Sequence, residues 1–283
     1  GDIVKARRIF DGIGCKDAVS WNAMLTGYSR HGLTRETTRV FRGMVLEGVE
    51  PDSVAVSTML AHASSSRRIG KEIHGWTVRR GVEWDLSIAN SLILMYSNRG
   101  KLDQARWLFD NMPVKDLVSW NSIIYAHRKD RKALPYFEAM EGAGLSPDGI
   151  TFVAILSACA SAGLVKEGER LFLLMEEKYG LKPSMEHYAC MVNLYGRAGL
   201  ITEAYDTIIE RMHIEAGPTV WGALLYACYL HKNDDIGEVA AEILFELEPD
   251  NELNFEFLIK IYEDVGRLDD AERVRRKMVD RGL

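Results

Sequence analysis

The sequence predicts an all-α solenoid of antiparallel helix-turn-helix repeats, on three observations. The first is a comb: an apolar anchor followed by apolar residues three, four and usually seven places on, which is one buried face of a helix. The second is its period. The anchors Trp21, Val56, Ala89, Trp120, Phe152, Tyr188, Trp221 and Phe255 lie 35, 33, 31, 32, 36, 33 and 34 residues apart, the spacing of stacked helical hairpins. The third is a glycine turn with alanine five residues on, in Gly1…Ala6, Gly100…Ala105, Gly199…Ala204 and Gly266…Ala271. Glycine takes the left-handed conformation that ends a helix, and a small alanine lets two helices approach.

In chain order, the first helices carry Trp21/Met24/Leu25/Tyr28, Val56/Met59/Leu60/Ala63, Ala89/Leu92/Ile93/Tyr96 and Trp120/Ile123/Ile124, where His127 breaks the seventh place. Phe152/Ile155/Leu156/Cys159, Tyr188/Met191/Val192/Tyr195, Trp221/Leu224/Leu225/Cys228 and Phe255/Leu258/Ile259/Tyr262 complete the set. The second helices carry Ile9-Phe10, Val40-Phe41, Leu108-Phe109 and Leu171-Phe172, which would fill the space between units. Two second helices stop at Gly48…Pro51-Asp52 and Gly144…Pro147-Asp148, a glycine followed by a proline that blocks continuation. The units 53–85 and 117–148 are short for their types, which predicts tightened inter-helix turns.

A hydrophobic fraction of 47% argues against disorder. No apolar run approaches the roughly 18 residues needed to span a membrane. Gly1-Asp2-Ile3-Val4-Lys5-Ala6 already reads as repeat sequence, so the expectation is that the chain begins inside a repeat and that any targeting segment precedes it. Of the four cysteines, Cys15, Cys159, Cys190 and Cys228, two fill the seventh place of the comb, which predicts packing. The net charge is −6, unevenly spread: residues 1–184 hold 25 Lys and Arg against 21 Asp and Glu, and residues 185–283 hold 10 against 20. One end could lie near phosphates while the other would repel them. The alternative is solvated helix faces with chance asymmetry.

Chemistry-bearing motifs are sparse. His213-Ile214-Glu215 matches half of a zinc-deaminase signature, but no Pro-Cys-x-x-Cys follows. Cys228 and His231 sit at a ligand-like spacing without a second pair. With no glycine-rich phosphate loop and no nucleophile–base set, the expectation is a protein that is not an enzyme and needs no metal or cofactor.

Two polar series do recur. One step past each anchor, about 100° off the buried face, stand Asn22, Ser57, Asn90, Asn121, Val153, Ala189, Gly222 and Glu256. Four places before each anchor stand Asp17, Asp52, Asp85, Asp116, Asp148, Ser184, Gly217 and Asn251. An asparagine amide offers a donor and an acceptor that match the Watson–Crick edge of a splayed base, and an aspartate beyond it can orient that amide. The competing reading makes Asp52, Asp116 and Asp148 helix caps for free backbone N–H groups.

Val19-Ser20-Trp21-Asn22 returns three units later as Val118-Ser119-Trp120-Asn121, and the unit between them at 86–116 is short and ends Asp110-Asn111-Met112-Pro113. This alternation resembles the plant pentatricopeptide-repeat family of the class built from P, L and S motifs. Residues 1–17 resemble the tail of one motif, followed by P (18–52), L (53–85), S (86–116), P (117–148), L (149–184) and S (185–216). Residues 217–250 and 251–283 resemble two E motifs, carried by Trp221-Gly222-Ala223-Leu224-Leu225, Glu246-Leu247-Glu248-Pro249-Asp250 and Ala271-Glu272-Arg273-Val274-Arg275. Tetratricopeptide repeats share the period but not the Trp-Asn pairs or the three lengths.

The resemblance implies a right-handed superhelical solenoid that binds single-stranded RNA in a chloroplast or mitochondrion, one base per motif. The fifth and last positions of each motif would select the base: Asn22 with Asp52, Asn90 with Asp116 and Asn121 with Asp148, each resembling a uridine-preferring pair. Ser57 with Asp85 holds the same positions in an L motif, where, like Val153 with Ser184, the combination departs from the family's best-understood pairs. Val19, Val54, Ser87, Val118 and Ile150 match the position that sandwiches bases, and Arg30, Lys129 and Arg197 are placed to meet phosphates. Relatives ending in E motifs mostly direct C-to-U editing by recruiting a deaminase in trans, while others act in group II intron splicing or transcript stabilisation. The first E motif, with one Lys or Arg against seven acids, predicts a protein-docking surface for editing accessory factors or a deaminase-bearing protein rather than an RNA surface. A protein-binding α-solenoid scaffold is the rival of a different class.

Overall fold

The computed structural model describes residues 2–63, 67–129 and 131–283, and among them contains seventeen α-helices, a π-helical segment and no strand. The chain divides into two compact units, Gly1–Ala126 and His127–Leu283. The first holds α1 (Ile3–Gly12), α2 (Ala18–Arg30), α3 (Thr34–Leu46), α4 (Ser53–Ala63), α5 (Arg67–Arg80), α6 (Leu86–Asn98), α7 (Leu102–Asn111) and α8 (Leu117–Ala126). The second holds α9 (Ala133–Gly142), α10 (Gly149–Ala162), α11 (Val165–Glu177), α12 (Met185–Arg197), α13 (Ile201–Asp206, continued by π-helical Thr207–Arg211), α14 (Pro218–His231), α15 (Asp234–Leu247), α16 (Glu252–Asp264) and α17 (Leu268–Asp280).

Within each unit the first helices of successive hairpins form one layer. In the first unit α2, α4, α6 and α8 pack in sequence; in the second, α10, α12, α14 and α16 do. The comb is what they bury. All its residues are buried except Tyr96 and Trp120, which are half-buried. Tyr96 accounts for itself with a 2.7 Å hydrogen bond between its hydroxyl and His74 Nδ1, and Trp120 lies edge-to-face on Phe109 with centroids 4.9 Å apart. Cys159 and Cys228 are buried as their places predict, and burial pushes each thiol up to about 12.

The predicted glycine turns occur at Gly100, Gly199 and Gly266, all with positive φ, and the alanines after them, Ala105, Ala204 and Ala271, are wholly buried. Gly1 falls outside the described residues, and Ala6 and Ile9 are exposed. The expected tight turn in the unit 117–148 is corrected. There α8 and α9 are only 10 residues each and residues 127–132 join them, whereas α2 and α3 have 13 residues each and a connection at 31–33. The stretch lacks a turn glycine, and Pro135 in α9 has no N–H to give and is tolerated only in a helix's first turn. Helix is therefore lost at both ends and the connection grows. His127 is buried and stacks on Tyr136, with ring centroids 5.2 Å apart. The corresponding turn of the unit 53–85 lies outside the described residues.

Among the described residues Lys232, at the turn between α14 and α15, is the only non-glycine with positive φ, 55°. A side chain in that region costs about 1–2 kcal/mol. Its exposed pair with Asp264, 3.4 Å apart, returns at most about 1 kcal/mol. Lys232→Gly is expected to stabilise the protein by about 1 kcal/mol in urea unfolding; an unchanged or lower midpoint would show that the turn is unstrained.

Candidate nucleic-acid interface

Each first helix with an aspartate before it is capped by that aspartate. Asp17 Oδ1 accepts from the Ser20 N–H at 2.8 Å, Asp52 Oδ1 from Ala55 at 2.9 Å, and Asp85 Oδ1 from Ser87 and Ile88 at 3.1 Å. Asp116 Oδ1 accepts from Ser119 at 2.8 Å and Asp148 Oδ1 from Thr151 at 2.9 Å. Capping, taken by itself, thus describes every one of them.

Two of the carboxylates also hold an asparagine. Asn22 Nδ2 donates to Asp52 Oδ2 at 2.7 Å, and Asn90 Nδ2 donates to Asp116 Oδ1 at 3.3 Å. Capping and orienting are therefore one arrangement, not alternatives. Charge sets the direction of the amide: its donor meets the carboxylate, so its carbonyl must point away. In both asparagines that Oδ1 is buried and has no hydrogen-bond partner. An orphaned buried acceptor costs roughly 1–3 kcal/mol, which an arriving donor would recover. Burial works to raise the Asp116 pKa, but hydrogen bonds from the Ser119 N–H and hydroxyl and from the Asn90 amide outweigh it and hold the carboxyl below its ordinary value.

The asparagines lie deeper than the sequence placed them. Asn90 is 6% exposed and Asn121 8%, where a helix-edge position had been expected; Asn22 is half-buried. The next first helix packs against the side that carries Asn22 and Asn90, as α4 does on α2 and α8 on α6. Each amide is thereby covered at the packing of successive first helices instead of standing on an exposed edge. Asn121 sits in the first unit and Asp148 in the second. Ser57 and Asp85 do not form such a pair: Ser57 Oγ lies 3.1 Å from Ser87 Oγ, and Asp85 Oδ1 accepts from the Ser87 and Ile88 N–H groups. Val153 is half-buried, and Ser184 caps α12 in a reciprocal pair with His187.

The bulky residues assigned to base sandwiching are exposed. In the first unit Val19, Val54 and Val118 are 73%, 52% and 53% exposed, and in the second Ile150 is 68% exposed. Each is the second residue of its helix, α2, α4, α8 or α10. Branched aliphatics left in water at the same register are the opposite of what core packing would leave. Arg30 and Arg197 are exposed last residues of α2 and α12, and Lys129 is exposed in the connection 127–132. Arg30 lies eleven residues from Val19, about 16 Å along the helix axis.

A further contact escaped the sequence reading. The residue five places after one anchor meets the residue two places after the next: Ser157 Oγ lies 3.3 Å from Cys190 Sγ, across α10 and α12. Comparing offsets between neighbouring units, rather than reading each unit alone, would have found it. Among the described residues no group of three His, Cys, Asp or Glu could hold a metal ion, and no helix is long and apolar enough to cross a membrane.

The family model described as PPR repeat family matches residues 16–63, that described as PPR repeat matches 87–117, and that described as pentatricopeptide repeat domain matches 135–198. An E motif model matches 231–283. A pentatricopeptide repeat-containing protein of Arabidopsis thaliana named as chloroplastic is 62% identical over the whole chain, which covers 54% of that relative. The chloroplastic CRR2 of the same plant is 40% identical and a mitochondrial relative 42%, each with 44% of its length covered. The chain thus spans about half the length of the curated relatives it matches. Among solved structures, the pentatricopeptide repeat protein PPR10 in complex with an 18-nt psaJ RNA element aligns with 96% of the chain and 42% of its own, at TM-score 0.72 and 19% identity. PPR10 from maize aligns with 99% of the chain and 41% of its own, at 0.62 and 19%. At that identity the likeness is one of fold.

Proposed function

The chain belongs to the pentatricopeptide-repeat family and carries its E motif, and from that premise we propose that it binds single-stranded RNA in a chloroplast or mitochondrion, selecting bases motif by motif. The observation that carries this is the pair of carboxylate-held amides, Asn22 on Asp52 and Asn90 on Asp116, each with a buried, unpartnered carbonyl where successive first helices pack. A uracil offers its N3–H to such a carbonyl. The exposed Val19, Val54 and Val118 in the first unit and Ile150 in the second supply apolar faces for the rings, and Arg30, Lys129 and Arg197 supply charge for the backbone. The RNA held by the structural relative PPR10 and the organelle names of the sequence relatives support the same reading.

The proposed role is specification of C-to-U editing sites, with the E hairpins docking the protein that brings the deaminase. Intron splicing and transcript stabilisation are the alternatives within the family, and a protein-gripping scaffold lies outside it. Sequencing organellar transcripts from a line lacking the protein separates these: unedited cytidines support the first role, retained introns or lost transcripts the others. Alanine at Asn22 and Asn90 is expected to lower the preference for uridine in selected RNA pools by about fivefold per site, one neutral hydrogen bond each. Salt dependence should stay nearly constant. Equal losses for all four bases would refute base reading, and a wild-type protein that enriches no sequence would favour the scaffold.

A further inference from the structure

The last two hairpins carry an aromatic cluster at the register where α10 and α12 carry the Ser157–Cys190 contact. Tyr226 on α14 stands five places after its anchor Trp221, and Phe257 on α16 stands two places after Phe255. They meet edge-to-face with ring centroids 5.6 Å apart, the aromatic counterpart of the Ser157–Cys190 contact. Tyr229, one turn on from Tyr226, closes the group at 5.2 Å from Phe257 and 6.2 Å from Tyr226. Tyr226 remains 46% exposed, and Tyr229 and Phe257 are half-buried. The cluster is therefore not spent on the core.

Two further features bear on what it would receive. Gly222 holds the register of Asn22 and Asn90, one step after the anchor, and a side chain there would meet nothing within 4 Å. This position has open space and no edge-reading group. The acids that made the first E motif look hostile to RNA are absent from α14: five lie on α15 (Asp234, Asp235, Glu238, Glu242 and Glu246), and Glu248 and Asp250 follow it. Glu252, Glu256, Glu263 and Asp264 do lie on α16, with Lys260 among them, so the surface is not basic. Affinity here has to come from ring contact more than from phosphate attraction, and stacking on aromatic faces is indifferent to base identity because every base has a π-face.

We propose that Tyr226, Tyr229 and Phe257 form a stacking platform that takes one unpaired nucleobase of the bound RNA without selecting among the four. It rests on the RNA-binding reading above. It also divides the labour of the E hairpins, leaving the acidic outer helix α15 to a protein partner.

The test measures binding of the whole chain to its selected RNA and to versions extended at either end by two nucleotides, or by two abasic nucleotides. An extension bearing bases is expected to tighten wild-type binding about tenfold at one end, equally for A, C, G and U. The abasic extension should give almost nothing. Tyr226→Ala and Phe257→Ala should abolish the gain while leaving the unextended RNA's affinity unchanged, and Tyr226→Trp should keep it. Thermal melting of each variant excludes unfolding as the cause. A gain that survives both alanine variants, a gain equal for abasic RNA, or none in the wild type would each overturn the platform while leaving base reading intact. Tyr226→Ala abolishing capture of a protein partner with no effect on any RNA would assign the cluster to protein docking and overturn it too. No binding of any RNA would remove the underlying reading itself.

Discussion

Asp116→Ala is expected to cost about 2–4 kcal/mol of stability and the uridine preference of its motif together. The carboxylate caps α8 through the Ser119 N–H at 2.8 Å and holds the Asn90 amide at 3.3 Å. Loss of a helix cap costs about 0.5–2 kcal/mol, and a buried amide left without its acceptor adds roughly 1–3 kcal/mol. With the carboxylate gone, the amide has no charge to set its direction, so both donor and acceptor would face an incoming base. Asp116→Ser separates the two effects, since serine caps well but is too short to hold the amide from the same position. It should restore most of the stability without restoring selectivity. Urea unfolding and selection from RNA pools read the two quantities; recovery of both by serine would show that Asp116 acts only as a cap. The pH dependence has a definite sign. Because the folded carboxyl titrates below its ordinary value, its contribution is present above about pH 4, the unfolded value, and is lost as pH falls through the lower folded value.

Gly196→Val is expected to be the most damaging substitution in the second unit, at about 3 kcal/mol or more. Gly196 lies on α12 where α14 crosses it, and a Cβ there would stand 2.5 Å from the Ala227 Cβ. That neighbour sits rigidly on the helix backbone, so the helices themselves must separate. Overpacking of this kind costs about 1–3 kcal/mol or more, and valine adds two further methyl groups. The effect should spread, because α12 and α14 belong to one continuous layer and each hairpin is stabilised mainly by its neighbours. Gly222→Ala is the control: a Cβ there meets nothing within 4 Å, and replacing a mid-helix glycine stabilises by about 0.5–1 kcal/mol. Thermal melts of the two variants should move in opposite directions. A Gly196→Val protein melting with the wild type would mean that α12 and α14 do not approach so closely.

The sequence by itself determined the hairpins, their period and the face each buries, because helix burial is a local periodic signal that Trp21, Phe152 or Phe255 declares within a single turn. It also located Asp52 and Asp116 as caps, since a cap is defined by the four residues around it. What only the tertiary structure decided are the relations between hairpins. That Asn22 lies 2.7 Å from Asp52 across 30 residues while Ser57 turns to Ser87, and that Asn90 is buried with its carbonyl unpartnered, depend on which side of one helix the next one covers. The connection 127–132 shows the same limit. Counting residues predicted a shorter turn, but placement of the lost residues is settled by which backbone can continue as helix, and there Pro135 and the missing glycine shortened the helices instead.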